Sequence, residues 1–291
     1  MKNFRILSFF VFLFCVVSVY GQPSRVITDT IHSDILGVDR PVSVYLPKNF
    51  DRDSTFVFPV LYLLHGMYGN NNSWYDDMRA KDVLDRMIDS EMIDRLVVIT
   101  PYAGGRDAEK EQNGYFNMPG WSYEDFFFTE FLPEVEKRYR AGGERTKRSI
   151  AGLSMGGGGA VSYAQRHPDM FVASYGASGV MELPQADEMK DNPKIDPENK
   201  VIKYFKSIDE YDCVEYVRSA DDQRKDSLRT VRWFLDCGDD DFLLDTNINL
   251  TRAMREARIP VQFRVRDGAH DSEYWHTALY EMLPFVDRSM K

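Results

Sequence analysis

The stretch "SIAGLSMGGGGA", residues 149–160, places Ser154 between Gly152 and Gly156 and continues with three more glycines. A short apolar run of the kind found in buried strands precedes the serine, and "AVSYAQRHPDMF" after it has helical spacing. G-x-S-x-G between a strand and a helix is the pattern of a nucleophile elbow, in which small neighbours let the two elements pack closely around a strained serine. A flexible linker would not lie directly between two such elements. The stretch therefore predicts a catalytic serine at residue 154.

The composition indicates one large domain that does not bind nucleic acid. The chain has 291 residues, of which 43% are hydrophobic and 13% aromatic, enough to bury the core of a single α/β domain. Its formal net charge is −10, and we find no cluster of Lys and Arg of the kind that a phosphate-binding surface needs. These features argue against nucleic acid and anionic membranes as partners.

The first 21 residues have the features of an export signal. In "MKNFRILSFFVFLFCVVSVYGQ", Lys2 and Arg5 precede an apolar run, and small residues stand before a cleavage site ahead of Gln22. A retained membrane anchor is the alternative, but the run of about 15 apolar residues is shorter than the ~20 that a membrane span needs. We therefore expect a signal peptide over residues 1–21, a single domain over 22–291, a secreted or periplasmic location, and no stable membrane insertion after signal removal.

Two cysteines, Cys213 and Cys237, lie beyond this segment. Export permits a disulfide between them, but Cys237 ends an apolar run where a small buried thiol fits well. We expect both cysteines to be free.

Strand and helix patterns alternate along the chain, which predicts an α/β fold with a mainly parallel central sheet and helices on both faces. A break is expected at Pro133, inside the helical stretch of residues 122–140. The charged segment of residues 181–229 interrupts the alternation and is predicted to be a lid-like insertion over the active-site edge. Strand patterns occupy "RVITDTIHSDI", "RPVSVYLP", "FVFPVLYLLHG", "DRLVVITPY", "RSIAGLS", "FVASYGASG", "TVRWFLDCG" and "VQFRVRDG". Helical patterns occupy "AKDVLDRMIDSEMI", "SYEDFFFTEFLPEVEKRYR", "LLDTNINLTRAMREARI" and "SEYWHTALYEMLPFVDRSM".

A serine nucleophile needs a histidine base, and the base needs an orienting carboxylate. His270, in "VRDGAHDSEYW", follows a predicted strand, lies in a glycine-containing loop and comes after Ser154 in the chain. The other four histidines are His32, His65, His167 and His276. They lie in an opening strand, at the end of a strand far before the serine and in a different loop, before a proline at a helix end, and in the last helix, respectively. His270 is therefore the predicted base.

The acid lies among the aspartates of "FLDCGDDDFLLD", residues 234–245. Asp236 belongs to the strand and Asp245 to the next helix, which leaves Asp239, Asp240 and Asp241 in the loop. A hydrated turn or helix cap is an alternative for this loop. A calcium site is a weaker alternative, because no spaced set of oxygen ligands surrounds the loop. We expect no metal site here.

Five stretches of the chain resemble the "Putative esterase" family of the α/β-hydrolases. This family includes esterase D (S-formylglutathione hydrolase), feruloyl and acetyl xylan esterases, siderophore esterases and mycolyltransferases. The stretches are "RPVSVYLPKNF", "PVLYLLHGMYGNNNSW", "IAGLSMGGGGAVSYAQRHPDMF", "CGDDDFLLDTN" and "GAHDSEYWHTALYEML", and they cover most of the chain from about residue 25 onward. The resemblance implies an α/β-hydrolase fold.

The resemblance also implies roles for particular residues. The family acid is the aspartate of a Gly-x-x-Asp stretch, which corresponds to Gly238 and Asp241, with Asp240 remaining open. Family members form an oxyanion hole from two backbone N–H groups, here those of Met67 and Met155.

Within this family, an exported chain most resembles the enzymes that remove feruloyl or acetyl groups from plant polysaccharide. The resemblance implies that the reaction needs no cofactor. Aromatic residues near the predicted catalytic loops suggest Trp74, Trp121 and Tyr274 as substrate-binding residues. The alternatives are an acyltransferase, a siderophore or thioester hydrolase on the same triad, and a carbohydrate-binding protein without catalysis.

Overall fold

The computed structural model describes residues 21–52, 55–104, 114–183 and 207–291. The predicted export signal, apart from Gly21, and residues 184–206 of the predicted insertion lie outside these ranges.

Eight strands form one twisted sheet in the order β1-β2-β4-β3-β7-β8-β9-β10. β2 runs antiparallel to β1 and β4, and all the other neighbouring strands of this sheet run parallel. β5 and β6 form a separate hairpin. The strands are β1 Arg25–Ser33, β2 Val38–Leu46, β3 Val60–Leu64, β4 Val97–Pro101, β5 Asn117–Met118, β6 Trp121–Ser122, β7 Arg148–Leu153, β8 Ala173–Ala177, β9 Arg232–Gly238 and β10 Val261–Arg266. The mainly parallel sheet predicted from the sequence is confirmed.

Helices cover both faces of this sheet. They are α1 Ser73–Asp76, α2 Ala80–Asp89, α3 Tyr123–Phe126, α4 Leu132–Tyr139, α5 Met155–Arg166, α6 Cys213–Arg218, α7 Asp222–Arg229, α8 Leu244–Glu256 and α9 Ser272–Ser289. Because side chains of a strand alternate between faces, Leu61 and Leu63 of β3 pack with α2 and α9, whereas Tyr62 and Leu64 belong to the core on the opposite face. Burial on both faces explains why β3 is a continuous apolar run.

The long helical stretch before the elbow is divided, as the sequence predicted. A π-helical turn, Phe127–Phe131, separates α3 from α4. Pro133 lies in the first turn of α4. The irregular π-helical turn ends directly before Leu132, next to the proline that has no N–H to donate to the preceding turn.

The described part of the predicted insertion, residues 181–183 and 207–229, contains α6 and α7. Asp212 caps α6 by accepting hydrogen bonds from the backbone N–H groups of Val214 and Glu215. Cys213 and Cys237 are both buried and free, as expected. None of the helices in the described ranges combines the length and the apolar character that crossing a bilayer requires.

Candidate active site

The predicted elbow is present where β7 meets α5. Ser154 stands between the two elements with φ 54° and ψ −122°, a conformation that side-chain-bearing residues rarely adopt. A Cβ atom on Gly152 would lie 2.2 Å from the carbonyl oxygen of Gly156, and one on Gly156 would lie 2.5 Å from that of His65. The two glycines flanking the serine are therefore required by the close approach of the backbone.

The structure brings Ser154, His270 and Asp241 together from three loops at the carboxyl edge of the sheet. His270 Nε2 lies 2.9 Å from Ser154 Oγ. His270 Nδ1 lies 3.1 and 3.0 Å from the two carboxylate oxygens of Asp241. Asp241 follows β9 and His270 follows β10, so adjacent parallel strands set the contact between them.

The other two aspartates of the acid loop face elsewhere. Asp239 Oδ1 accepts a hydrogen bond from the Gly268 N–H at 3.1 Å, and Asp240 is exposed while its backbone N–H donates to the Gly268 carbonyl. Of the three candidates, Asp241 is the one in contact with His270.

Asp241 is held in its ionised form. Its burial raises the carboxyl pKa, but hydrogen bonds from the His270 ring and from the backbone N–H of Leu243 outweigh burial, and the net pKa lies below its usual value. A buried carboxylate in this state fixes the orientation of the imidazole and stabilises the imidazolium formed during proton transfer.

The predicted oxyanion donors border Ser154. Met155 is the first residue of α5, so its N–H has no partner within the helix. Met67 follows β3 in a turn whose Gly66 carbonyl accepts hydrogen bonds from the His65 ring at 2.7 Å and from the Gly69 N–H at 3.1 Å.

A largely apolar cavity of about 520 Å³ opens beside the serine. Its lining includes Tyr68, Phe242 and Trp275, as well as Met67 and Val180. Phe242 is 75% exposed and packs on the His270 ring at 4.5 Å between centroids, and Trp275 meets the same ring edge-on at 4.9 Å. The cavity therefore presents aromatic surface next to His270.

The structure places two of the three predicted substrate-binding residues away from the cavity. Trp74 is fully buried, and its Nε1 donates to the Leu64 carbonyl at 2.9 Å. Tyr274 is 2% exposed, and its hydroxyl donates to the Asp236 carboxylate at 2.5 Å. Each side chain fills the interior and satisfies its polar atom there, so neither faces the cavity.

Trp121, the third, lies between the Arg40 guanidinium and the Tyr123 ring, and it is not among the described residues that line the cavity. Tyr68, Phe242 and Trp275 line the cavity but were not among the predicted substrate-binding residues. Phe242 could have been predicted to lie near the site, because it directly follows Asp241 in the sequence.

The fold and the arrangement of Ser154, His270 and Asp241 are those of the α/β-hydrolase class of serine hydrolases. The sequence profile of the "Putative esterase" family matches residues 33–286. The chain belongs to this family, and its enzyme class is carboxylic ester hydrolase.

Three known proteins illustrate the relationship. A solved ferulic acid esterase is 52% identical, with a TM-score of 0.87, over 93% of this chain and 100% of that one. The endo-1,4-beta-xylanase/feruloyl esterase of Xylanibacter ruminicola is 29% identical over 60% of this chain, and the match spans only 23% of that larger protein. The acetyl esterase of Caldicellulosiruptor saccharolyticus is 26% identical over 83% of this chain and 86% of its own length.

Proposed function

We propose that the protein is an exported serine esterase that removes feruloyl groups, and to a lesser extent acetyl groups, from plant polysaccharide. The observation that carries the proposal is the unbroken hydrogen-bonded series from Ser154 through His270 to Asp241. The 52% identity to a ferulic acid esterase supports the acyl group.

The geometry supplies each step of ester hydrolysis. His270 Nε2 accepts the Ser154 proton as Oγ attacks the ester carbonyl, and the same proton passes to the departing alcohol. The N–H groups of Met67 and Met155 stabilise the tetrahedral oxyanion, each contributing ~3 kcal/mol. Water, activated by His270, then hydrolyses the acyl-enzyme.

The aromatic surface of the cavity supports an aromatic acyl group. Tyr68 and Phe242 are 57% and 75% exposed, and both border the space beside Ser154. Offset or edge-on contact with a ferulate ring would cover this apolar area and contribute ~1 kcal/mol for each aromatic pair. A small acetyl group leaves most of the cavity unfilled.

The experiment is an ester panel assayed with the purified protein and its Ser154→Ala variant. We expect methyl ferulate to give a higher kcat/KM than an unactivated acetyl or butyryl ester or a siderophore ester, and Ser154→Ala to lower the rate by a factor of order 10⁶. Product analysis with an added sugar acceptor distinguishes hydrolysis from acyl transfer. Activity that survives in folded Ser154→Ala protein would refute the proposal.

We also propose that the segment over residues 181–229 borders the substrate pocket. Val180, where the chain leaves β8 for this segment, lines the cavity, and its N–H donates to the Ser154 carbonyl at 3.1 Å. None of the described residues 181–183 and 207–229 lines the cavity, and residues 184–206 lie outside the described ranges.

A further inference from the structure

We propose that His65 is a positioning residue: its ring holds the Gly66 carbonyl so that the N–H of Met67 points at the oxyanion. This inference rests on the proposed ester hydrolysis at Ser154. It assigns a role to a buried histidine that takes no part in the proton transfers described above.

Both ring nitrogens of His65 have defined partners. Nε2 lies 3.1 Å from the backbone N of Ala103, and Nδ1 lies 2.7 Å from the Gly66 carbonyl oxygen. A backbone N–H is always a donor, so Nε2 must be the acceptor and Nδ1 must carry the proton. The neutral ring therefore has one tautomer, in which Nδ1–H donates to Gly66.

The surroundings keep this ring neutral and fixed. His65 is 1% exposed, and burial lowers its pKa to about 4. The hydroxyl of Tyr115 donates to the His65 carbonyl at 3.0 Å, which fastens the backbone of the same residue. Because both ring nitrogens of His65 are hydrogen-bonded to the backbone, neither is available to exchange a proton with substrate.

The anchor on Gly66 sets the direction of the next N–H. In a trans peptide the carbonyl of one residue and the N–H of the next point in opposite directions, and no cis peptide bond occurs in the described part of the chain. Two donors, His65 Nδ1 and the Gly69 N–H, hold the Gly66 oxygen on the interior side. The Met67 N–H is thereby directed away from His65, and the cavity wall on that side is formed by Gly66, Met67 and Ser154.

The turn after β3 has few other contacts that fix this peptide, since the Gly66 oxygen accepts hydrogen bonds from the His65 ring and from the Gly69 N–H. Tyr68, the residue after Met67, has φ 63°, in the left-handed region that disfavours a tyrosine. With the His65 hydrogen bond removed, the Gly69 N–H alone would hold the Gly66 carbonyl, and the peptide between Gly66 and Met67 could rotate so that its N–H turns away from the oxyanion. The loss would then fall on the transition state and leave substrate binding unchanged.

The experiment compares three substitutions of His65. The amide nitrogen of His65→Asn reaches the place of Nδ1 and can donate to Gly66, whereas His65→Gln places its amide near Nε2 and His65→Phe removes both polar atoms. Steady-state hydrolysis of 4-nitrophenyl acetate gives kcat and KM, inhibition by phenylboronic acid reports the tetrahedral adduct of Ser154, and thermal denaturation reports folding.

We expect His65→Gln and His65→Phe to lower kcat by roughly 10- to 100-fold with KM nearly unchanged, and to weaken boronate inhibition by a similar factor. His65→Asn should keep kcat within about fivefold of the wild type. Folded Gln and Phe variants with wild-type kcat would overturn the inference, as would equal losses in the Asn and Gln variants or a loss confined to KM.

A measurement on the unmodified protein covers the case in which the variants do not fold. Long-range ¹H–¹⁵N NMR spectra of the histidine rings should show a neutral His65 with its proton on Nδ1 at pH 7. A proton on Nε2 would refute the inference and leave the proposed esterase function intact. Failure of the wild-type protein to hydrolyse any ester would refute the proposed function itself.

Discussion

At the scale of single residues, the hydrogen bond to His270 distinguishes Asp241 from its neighbours Asp239 and Asp240. Asp241→Asn should lower kcat by ~10⁴ near neutral pH, because an amide can hold the His270 ring in the wrong tautomer. Asp240→Asn is the matched control, since Asp240 is exposed and does not contact the ring. Steady-state kinetics with methyl ferulate checks both variants. A large loss in Asp240→Asn with none in Asp241→Asn would reverse the assignment.

Phe242 is the residue on which substrate choice should depend most. Its ring is largely exposed beside His270, so Phe242→Ala removes a contact surface and leaves the hydrogen bonds of the triad in place. We expect KM for methyl ferulate to rise by roughly 5- to 20-fold, corresponding to about 1–2 kcal/mol. The kinetics of 4-nitrophenyl acetate serve as the internal control and should change by less than about threefold. Equal losses for both esters would show that the ring supports His270 instead of substrate.

At the scale of elements, the buried carboxylate of Glu124 links α3 and α5 to residues 207–229 of the predicted insertion. Glu124 in α3 accepts hydrogen bonds from Arg166 and from His167, at the end of α5, and from the Tyr211 hydroxyl just before α6. Burial raises the pKa of Glu124, but its hydrogen bonds with His167 and Arg166 outweigh burial and lower the pKa from 4.5 to about 2. A depressed carboxyl pKa contributes stability above pH 4.5 that is lost as the pH falls toward 2.

Glu124→Gln should therefore lower the free energy of unfolding at pH 7 by about 3 kcal/mol and flatten its decline between pH 5 and pH 2. Urea denaturation at a series of pH values measures both effects. Glu134, which is partly exposed and paired with Arg138 on α4, provides the control, because Glu134→Gln should change stability by less than ~1 kcal/mol. A decline with pH identical to that of the wild type would contradict the role of Glu124.

The segment after Val180 offers a second test at this scale. Replacing residues 184–206 with a short Gly-Ser loop retains the capped helix α6 and the Glu124 contacts. We expect a changed ratio of feruloyl to acetyl ester hydrolysis, with 4-nitrophenyl acetate turnover within about tenfold, a barrier change of ~1.4 kcal/mol. An unchanged ratio in a folded variant would place the segment away from the pocket.

At the scale of the whole molecule, the proposal of export concerns the part of the chain before β1. Expression of the full chain in a Gram-negative host should yield protein outside the cytoplasm whose N-terminus is Gln22. Cell fractionation and N-terminal sequencing measure this outcome. Protein that stays in the cytoplasm with Met1 intact would contradict the signal peptide, and full-length protein in the membrane fraction would indicate an anchor.

The sequence by itself determined the order of elements and the position of the proposed nucleophile. Strands and helices were predictable because hydrophobic periodicity is a local property, recorded within about ten residues. The elbow was predictable for a similar reason, since the glycines that its geometry requires lie within two residues of Ser154. His270 followed from its place after a strand and after the serine.

The tertiary structure decided between Asp241, which the family resemblance indicated, and Asp240, and it alone decided which aromatic rings face the cavity. Asp241 and His270 are brought together by the parallel register of β9 with β10, and a shift of one residue would change which side chain meets the ring. Trp74 and Tyr274 lie near the catalytic loops in sequence, yet their rings are buried, whereas Phe242 is exposed. Whether an aromatic residue packs inward or lines a pocket depends on contacts among distant segments, and local sequence does not record those contacts.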